Sequence, residues 1–525
     1  PVHYEPACRS ERVRYDILAY FYTPPEEMRA LSRGEWTHEK DYDAPFFLCE
    51  YAHSMGVGPG GLEEYWEVIY SDERFLGGCI WEWADHAHYD AQAKYKYTYG
   101  GDHKDRLNSG NFCCDGLFYP DRTPSPSALC MKNVYRPLRA SLKNGELWVR
   151  NTNYFRSSAG VGIACSLLRN GVLENRRVFD LEIAPQASVW LPYDFYITDH
   201  DDAFLILQYI ERASGREIAK EQIILQERFP TAAAHRVDLP WREEDSQIAL
   251  ARERAEFRFD QHGNLAALKD RNGRAVLPEN STGFALQLWQ AVIDNHVYAA
   301  APARKLGLNR LRGGKRKRRF DRFQNTVTTS FALKARGKPR FAVEILQKAV
   351  SETAVQVTLR LTSRIKQPVD LLQIGLTLTL NGRYQNVRYY GMGETESYSD
   401  FSAQDVMGVY RTTVPDMFVP YIKPQESGNR SGVRWAEITD DAGGGLRLTA
   451  LEQPLHFKAV DVSEENLRKA RHREDVERLD QTVLHINGFM RGIGSQSCGP
   501  DTAEPFKKLL HFGDTAAYSF LLELL

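Results

Sequence analysis

The first 135 residues alternate short apolar runs with one segment of helical periodicity. Residues 15–22, 45–51 and 75–83 are mostly apolar, with little of the polar alternation that a half-buried strand shows. Such runs are typical of strands buried on both faces of a parallel sheet. Residues 62–71 place apolar side chains three and four positions apart, which indicates a helix. Strand, helix and strand in succession predict an α/β unit.

The pattern changes after about residue 136 to short segments with a period of two. Residues 356–361 and 376–380 alternate apolar and polar side chains, as strands with one buried face do. Asn144-Gly145 and Asn170-Gly171 are turn signals of the kind that joins the two strands of a hairpin. These patterns predict that most of the chain is β-structure.

Three domains follow from this change of pattern. The α/β unit occupies residues 1–135, and a small β-sandwich is expected over residues 136–228. The Pro- and Ala-rich residues 229–240 suit a linker. A large β-domain then spans residues 242–525, with a brief helical pattern at residues 463–471.

The charge balance and the lengths of the apolar runs argue against two classes of partner, nucleic acids and membranes. The chain has 67 Lys and Arg against 69 Asp and Glu, so its net charge is −2. This balance gives no electrostatic reason to expect a nucleic acid. No window approaches 18 uncharged apolar residues, so we expect no membrane partner either. The one basic run, residues 315–319, is interpreted as a solvated loop.

The eight cysteines are scattered through the long chain, unlike those of a small disulfide scaffold. No Cys/His cluster has zinc spacing. Free thiols suit a reducing compartment, so we expect a cytoplasmic protein. A periplasmic location stays open, because a signal peptide would precede Pro1.

Glu50 ends the second apolar run and is followed closely by His53. In an α/β barrel the carboxyl ends of the strands face the active site. A desolvated carboxylate beside a histidine there suits a nucleophile or a general acid/base. Taken alone, a glutamate that caps a helix or pairs with an arginine is the simpler interpretation.

The neighbouring strand ends favour a binding site. Tyr22 ends the first apolar run, and Trp81 and Trp83 end the third with two acids beside them. Tryptophan offers a flat apolar surface for the C–H faces of a sugar, and acids bind its hydroxyls. Taken alone, the tryptophans are better explained by core packing. Three such strand ends together predict a carbohydrate site.

Several segments resemble the bacterial lactose-cleaving β-galactosidases of glycoside hydrolase family 2. The resemblance runs through the whole chain in order and includes CEYAHSMG (49–56), GGCIWEWAD (77–85), YGGD (99–102), FCCDGL (112–117), DRTPSPS (121–127), GMGETESYSD (391–400), PYIKPQESGNR (420–430) and INGFMRGIGSQSCGP (486–500). It implies a fold class of α/β plus all-β: strands five to eight of a TIM (β/α)8 barrel, an immunoglobulin-like β-sandwich and a large C-terminal β-sandwich. It also implies a homo-oligomer for the full-length enzyme and a β-galactoside such as lactose as substrate.

The same resemblance implies roles for residues at the strand ends. Glu50 stands at the position of the catalytic nucleophile, which forms the covalent galactosyl intermediate. Tyr22 matches the tyrosine that contacts this nucleophile and assists breakdown of the intermediate. His53 matches the histidine that binds galactose hydroxyls, and Trp81 matches the apolar wall under the sugar.

A sodium site is also implied. The Phe112 carbonyl and the Asp115 side chain match sodium ligands, and the sodium binds the galactose 6-hydroxyl. Three positions depart from the best-known members: Asp115 replaces Asn, Phe21 replaces Met, and Cys498 replaces a Trp that stacks on the leaving sugar. Residues 288–296 (LWQAVIDNH) are a diverged version of another family segment. These departures concern the preference for the substrate rather than the class of reaction.

A retaining hydrolase needs two carboxylates about 5–5.5 Å apart. In the family the acid/base and the Mg²⁺ ligands come from strand four, whereas this chain starts at strand five. We therefore expect a truncated sequence that is inactive alone. The alternatives are another family 2 β-glycosidase, such as a β-glucuronidase or β-mannosidase, a non-catalytic carbohydrate-binding β-sandwich protein, and a naturally split enzyme.

Overall fold

The computed structural model describes residues 1–5, 15–35, 44–193, 195–231 and 239–525. Most of the secondary structure is β, and the helices are few and short. No helix among these residues has the length and apolar character needed to cross a membrane. The seven cysteines described are all free, as expected, and Cys8 lies outside the described residues.

The first segment is an α/β unit. Its elements are β1 (Leu18–Phe21), α1 (Pro25–Ser32), β2 (Phe46–Tyr51), α2 (Leu62–Ile69), β3 (Phe75–Ile80), β4 (His88–Tyr89), β5 (Tyr97–Thr98) and α3 (Pro126–Val134). Strands β1, β2 and β3 form a parallel sheet with β2 in the centre, which confirms the predicted succession of strand, helix and strand. Leu18, Phe46 and Leu48 of this sheet are almost fully buried, as expected for apolar runs.

The structure forms a regular parallel sheet from three of the four strands predicted in this segment, and the half-barrel stays a prediction. After β3 the structure has only a single parallel bridge between Ala84 and Phe118. Phe118 N donates to Trp83 O at 3.1 Å, so residues 117–118 lie beside the end of β3 without becoming a regular strand. Pro120 and Pro124 follow at once, and proline cannot donate to a sheet ladder. The run therefore forms an isolated parallel bridge rather than a regular strand.

The second segment contains strands alone. They are β6 (Leu138–Lys143), β7 (Glu146–Asn151), β8 (Val161–Arg169), β9 (Val172–Phe179), β10 (Ser188–Leu191), β11 (Ala203–Glu211) and β12 (Glu217–Gln226). They form a sheet of order β10-β7-β6 and a sheet of order β12-β11-β8-β9, and residues from both line one core. Asn144 and Asn170 have φ values of 54° and 52° in the β6–β7 and β8–β9 turns, which confirms both hairpin predictions. Asparagine tolerates this left-handed region better than most residues.

The third segment holds the largest core. Its strands and helices are β13 (Trp241–Glu244), β14 (Gln247–Arg252), β15 (Ala255–Phe259), β16 (Leu265–Lys269), β17 (Ala285–Gln287), α4 (Val297–Lys305), β18 (Arg312–Gly313), β19 (Lys317–Asp321), β20 (Thr326–Ala335), β21 (Lys338–Ser351), β22 (Ala354–Ser363), β23 (Val369–Asp370), β24 (Gln373–Asn381), β25 (Asn386–Met392), β26 (Met407–Thr413), α5 (Val414–Met417), β27 (Arg430–Val433), β28 (Trp435–Thr439), β29 (Gly445–Leu451), β30 (Leu455–Val460), α6 (Glu464–Lys469), β31 (Gln481–Met490), β32 (Leu509–Leu510) and β33 (Thr515–Leu524).

Two of its sheets share this core. One has five strands in the order β17-β24-β31-β30-β27, and the other has ten, running from β18 to β26 with β33 near its middle. Alternate residues of β22, such as Val357, Leu359 and Leu361, point into the core, as their period of two predicts. Helix α6 confirms the short helical pattern, and the Ser463 side chain caps it by accepting from Asn466 N at 3.1 Å.

The basic run at residues 315–319 is not simply a loop. Lys317–Asp321 forms strand β19, whose Phe320 pairs with Val327 of β20. In this strand Lys317 and Arg319 are exposed, whereas Arg318 and Phe320 are partly buried, so one side of the strand faces the protein. The number of charges alone does not reveal this alternation. The proposed linker at residues 229–240 falls largely on residues 232–238, which lie outside the described residues.

The third segment packs directly on the end of the parallel sheet. Tyr398, Phe401 and Ile493 lie in the same buried cluster as Tyr51 and the core of the α/β unit. The backbones also meet, because Gly60 N donates to Gly494 O at 2.8 Å. A Cβ on Gly60 would lie 2.3 Å from Asp400 Oδ2, so this approach requires glycine. The C-terminal β-structure therefore borders the strand ends where the site was predicted.

Candidate active site

Glu50 lies near the carboxyl end of the central strand β2 and is partly buried. Its carbonyl accepts a hydrogen bond from Tyr22 N at 2.8 Å, which fixes the ends of β1 and β2 relative to each other. Tyr22 and Ala52 both have φ values of 51°, in the left-handed region. Each such conformation costs a non-glycine residue about 1–3 kcal/mol, and such strain concentrates at functional sites. The two strand ends therefore turn sharply around Glu50.

The Tyr22 hydroxyl lies close enough to the Glu50 carboxylate to feel its charge. Burial raises the pKa of Tyr22, and the negative charge of Glu50 raises it further. The phenol accordingly remains protonated and has a proton that it can donate to the carboxylate. The pairing of these two residues, predicted from the resemblance, is present in the structure.

His53 is almost fully buried behind this pair. Its ring centroid lies 6.0 Å from that of Tyr22. Nδ1 lies 2.7 Å from Ser497 Oγ, and Nε2 lies 3.4 Å from Asp115 Oδ2. Ser497 Oγ donates its proton to Asn295 Oδ1 at 2.6 Å, so it accepts from Nδ1 of the imidazole. The ring is therefore held between a hydroxyl on one side and a carboxylate on the other.

Ser497 and Asn295 were not predicted as site residues. Asn295 also donates through Nδ2 to Val57 O at 3.0 Å, which ties it to the loop after His53. Both lie in segments that resemble the family, Asn295 in residues 288–296 and Ser497 in residues 486–500. Ser497 immediately precedes Cys498, and this adjacency was the available signal.

Three carboxylates lie together on the far side of His53. Burial, with a contribution from Asp115, raises the pKa of Glu82 to about 7. Burial also raises the pKa of Asp85 to about 7, although Gly116 N donates to Asp85 Oδ1 at 2.8 Å. Asp115 itself is 2% exposed, and its Oδ1 atom has no hydrogen-bond partner among the described residues. Asp115 therefore presents a buried oxygen that a cation could satisfy.

Phe112 and Asp115 are the predicted sodium ligands. The Phe112 ring is 47% exposed and lies 6.0 Å from the His53 ring, centroid to centroid. No described residue donates a hydrogen bond to the Phe112 carbonyl. Among the residues described, no three His, Cys, Asp or Glu side chains converge on a metal-sized site. An orphan carboxylate oxygen and a free carbonyl nevertheless fit a hard cation that takes further oxygen ligands from elsewhere.

Trp81 and Cys498 lie at the rim of the site. Trp81 is 39% exposed, and its backbone is fixed by Tyr51 O at 3.1 Å and by Ser54 N at 2.8 Å. The Cys498 thiol is close enough to feel the charges of Asp115 and Glu50, which add to burial in raising its pKa. Ring contacts and charge interactions therefore link six of the seven predicted site residues, and Trp81 joins them through its backbone hydrogen bond with Ser54.

Comparison with known families agrees with this arrangement. A family model described as "Beta galactosidase small chain" matches residues 251–522. A second, "Glycosyl hydrolases family 2, TIM barrel domain", matches residues 1–140. This chain belongs to the β-galactosidases of glycoside hydrolase family 2. Membership agrees with the resemblance inferred from the sequence motifs.

Individual family members are similar along most of the chain. A β-galactosidase of Actinobacillus pleuropneumoniae is 27% identical over 480 residues, covering 88% of this chain and 46% of the relative. One of Staphylococcus xylosus is 27% identical, covering 97% and 52%, and one of Kluyveromyces lactis is 25% identical, covering 96% and 49%. The chain spans about half the length of these curated relatives.

Proposed function

We propose that this chain carries the nucleophile of a retaining β-galactosidase. The observation that supports this most directly is the proximity of the Tyr22 hydroxyl to the Glu50 carboxylate at adjacent strand ends, in a chain of this family. Glu50 attacks the anomeric carbon, and a galactosyl ester forms as the bond to the leaving oxygen breaks. Water then hydrolyses the ester and returns Glu50 to its carboxylate form.

Tyr22 and His53 support this attack from two sides. The Tyr22 hydroxyl holds the carboxylate in one orientation and donates to the oxygen that leaves when the ester breaks down. His53, held by Ser497 and Asp115, presents its ring edge to galactose hydroxyls. Trp81 covers the apolar face of the sugar, and the exposed Cys498 faces the leaving group.

A sodium ion fits the Asp115 side. Asp115 Oδ1 and the Phe112 carbonyl would hold it, and when bound it supplies positive charge for a galactose hydroxyl. In the proposal Asp115 keeps His53 oriented through Oδ2 whether or not the cation is bound. Mg²⁺ ligands are not assigned to any residue of this chain.

The acid/base is likewise not assigned within this chain, because none of its motifs matches that position. In the described residues β1 and β3 each pair with β2 alone, so the parallel sheet remains open on both sides. We therefore propose that the 525-residue chain is inactive by itself and works in an enzyme in which a second carboxylate completes the site, called the complete enzyme below. Its proposed substrate is a β-galactoside such as lactose, and we propose that it is a homo-oligomer located in the cytoplasm.

Labelling of the nucleophile tests the proposal. The complete enzyme is treated with a 2-fluoro-galactosyl inactivator, and the labelled peptide is mapped by mass spectrometry. We expect the label on Glu50 and none in the Glu50→Gln variant. A label on another residue, such as Glu82, would overturn the assignment.

A further inference from the structure

A strongly basic cavity lies on the C-terminal β-domain, with no lining residue in common with the Glu50 site. Its volume is about 690 Å³, and it has no acidic lining residue. Three glycines and Asn309 complete a lining that otherwise consists of cationic side chains. These are Arg304, Arg310, Arg312, Lys334 and Arg336.

Four neighbouring parts of the fold bring these cations together. Arg304 lies in the last turn of α4, and Arg310 ends the short helix Leu308–Arg310 that follows. Arg312 of β18 is the direct partner of Lys334 of β20 in the antiparallel register. Arg336 lies in the tight turn between β20 and β21. The basic run at residues 315–319 continues from β18, so the cavity lies beside the one charged stretch that stands out in the sequence.

The fold does not neutralise this charge. None of the five side chains forms an ion pair or donates a hydrogen bond to another group in the part of the chain that the structure describes. Like charges directly opposite each other on two strands are destabilising, as Arg312 and Lys334 are here. Arg304 alone has a structural explanation, because cations suit a helix C-terminus and it lies 6.0 Å from the Trp289 ring. All five side chains are exposed, and their convergence without an acidic lining residue favours a ligand of opposite charge.

We propose that this cavity binds a soluble molecule that carries several phosphate groups. Guanidinium groups pair with phosphate oxygens through two parallel hydrogen bonds, and four of the five cations are arginines. The volume lies within the roughly 300–1,000 Å³ typical of small-molecule sites. A second cavity of about 360 Å³ shares Arg304 and Asn309 and adds Arg468, so a longer anion could extend along the groove.

Calorimetric titration of the 525-residue chain with inorganic tripolyphosphate, at constant ionic strength, tests the proposal. We expect saturable binding at one site and at least tenfold weaker binding in the double variant Arg312→Gln/Arg336→Gln. The matched control is Lys366→Gln/Arg411→Gln, which removes two exposed charges that line neither cavity. The control should bind as the wild type does. Circular dichroism verifies that each variant is folded, and Lys334→Gln replaces the double variant if that one is not.

Three outcomes would overturn the proposal. The first is an absence of saturable heat. The second is equal weakening in the control, which would indicate general attraction to surface charge. The third is tighter binding of a short single-stranded DNA than of tripolyphosphate, which would indicate a nucleic-acid partner. Because the assay measures no hydrolysis, its result is independent of the galactosidase proposal.

Discussion

The Ser497 hydroxyl lies 2.7 Å from Nδ1 of His53, although the two residues are 444 positions apart in the chain. Asn295 accepts the proton of this hydroxyl and is hydrogen-bonded to the loop that follows His53. The C-terminal domain thus fixes the orientation of a side chain in the α/β unit. Ser497 acts as a positioning residue, since its contact with substrate would be through His53.

Removing this hydroxyl should loosen the imidazole. We expect Ser497→Ala in the complete enzyme to lower kcat/KM by about 10- to 100-fold, because small displacements of positioned groups cost rates of that order. Ser497→Thr, which retains the hydroxyl, should recover part of the loss, and Ser188→Ala on exposed β10 should have no effect. Steady-state kinetics measure this effect, and wild-type kinetics for Ser497→Ala would contradict the positioning role.

Tyr22 gives a sharper test of the chemistry. Tyr22→Phe removes the donor to Glu50 while keeping the ring, and loss of such a donor typically costs about 10²–10³ in kcat. If Tyr22 assists breakdown of the ester, the covalent galactosyl intermediate should accumulate and be visible by intact-protein mass spectrometry. Tyr89→Phe on exposed β4 is the control. A fall in activity without accumulation would place Tyr22 in the first step instead.

The cation site can be tested without activity. We expect NaCl to raise the melting temperature of the 525-residue chain above that in choline chloride at equal ionic strength, since a bound ion stabilises the folded state. Asp115→Ala should abolish the difference, whereas Asp115→Asn, which retains an oxygen ligand, should preserve part of it. Differential scanning fluorimetry measures the shift. The same shift in Asp115→Ala would exclude Asp115 as a ligand.

The isolated chain should not hydrolyse nitrophenyl galactoside. Without a general acid the attack of Glu50 loses about 10²–10⁴-fold, and the open sheet lacks the wall that would hold the sugar. The chain is first shown to contain folded β-structure by circular dichroism and is then assayed. Turnover close to that of a full-length relative would mean that an acid within this chain, such as Glu82, completes the reaction.

Stability should fall in mild acid because of buried neutral histidines. Burial lowers the pKa of His296 to about 3, and its Nε2 lies 2.7 Å from Gly492 O. In the unfolded chain the imidazole binds a proton with a pKa near 6.5, so the stabilising contribution of neutral His296 to the free energy of unfolding is complete above that pH. It is lost, at about 1.4 kcal/mol per pH unit, as the pH falls from 6.5 toward 3. Urea unfolding at pH 7 and pH 5 should show a smaller loss in His296→Gln than in the wild type.

The sequence predicted local features of this fold well, because each depends on a few neighbouring residues. The Asn144-Gly145 turn, the helix after Ser463 and the apolar strand β2 are of this kind. The run beside Phe118 is less regular than its apolar character predicts, because Pro120 follows two residues later and cannot donate to a sheet ladder.

In the candidate site, too, some residues could be predicted from local motifs, whereas others depend on how distant segments pack. Motifs at strand ends found Glu50, Tyr22 and His53, because strand order alone brings such residues together. Ser497 and Asn295 could not be found in that way, since their approach to His53 depends on how a β-domain docks on the α/β unit. The orphan oxygen of Asp115 is likewise a property of packing rather than of residue type.

The close approach of Gly60 to Gly494 has a consequence for how this protein can change during evolution. The two backbones touch where no side chain fits, so neither loop can drift without the other. A recombination event that replaced only the first or only the last segment with that of a distant relative would bring mismatched loops together beside His53. The two segments should therefore be inherited as one unit, while the β-domain between them is freer to diverge.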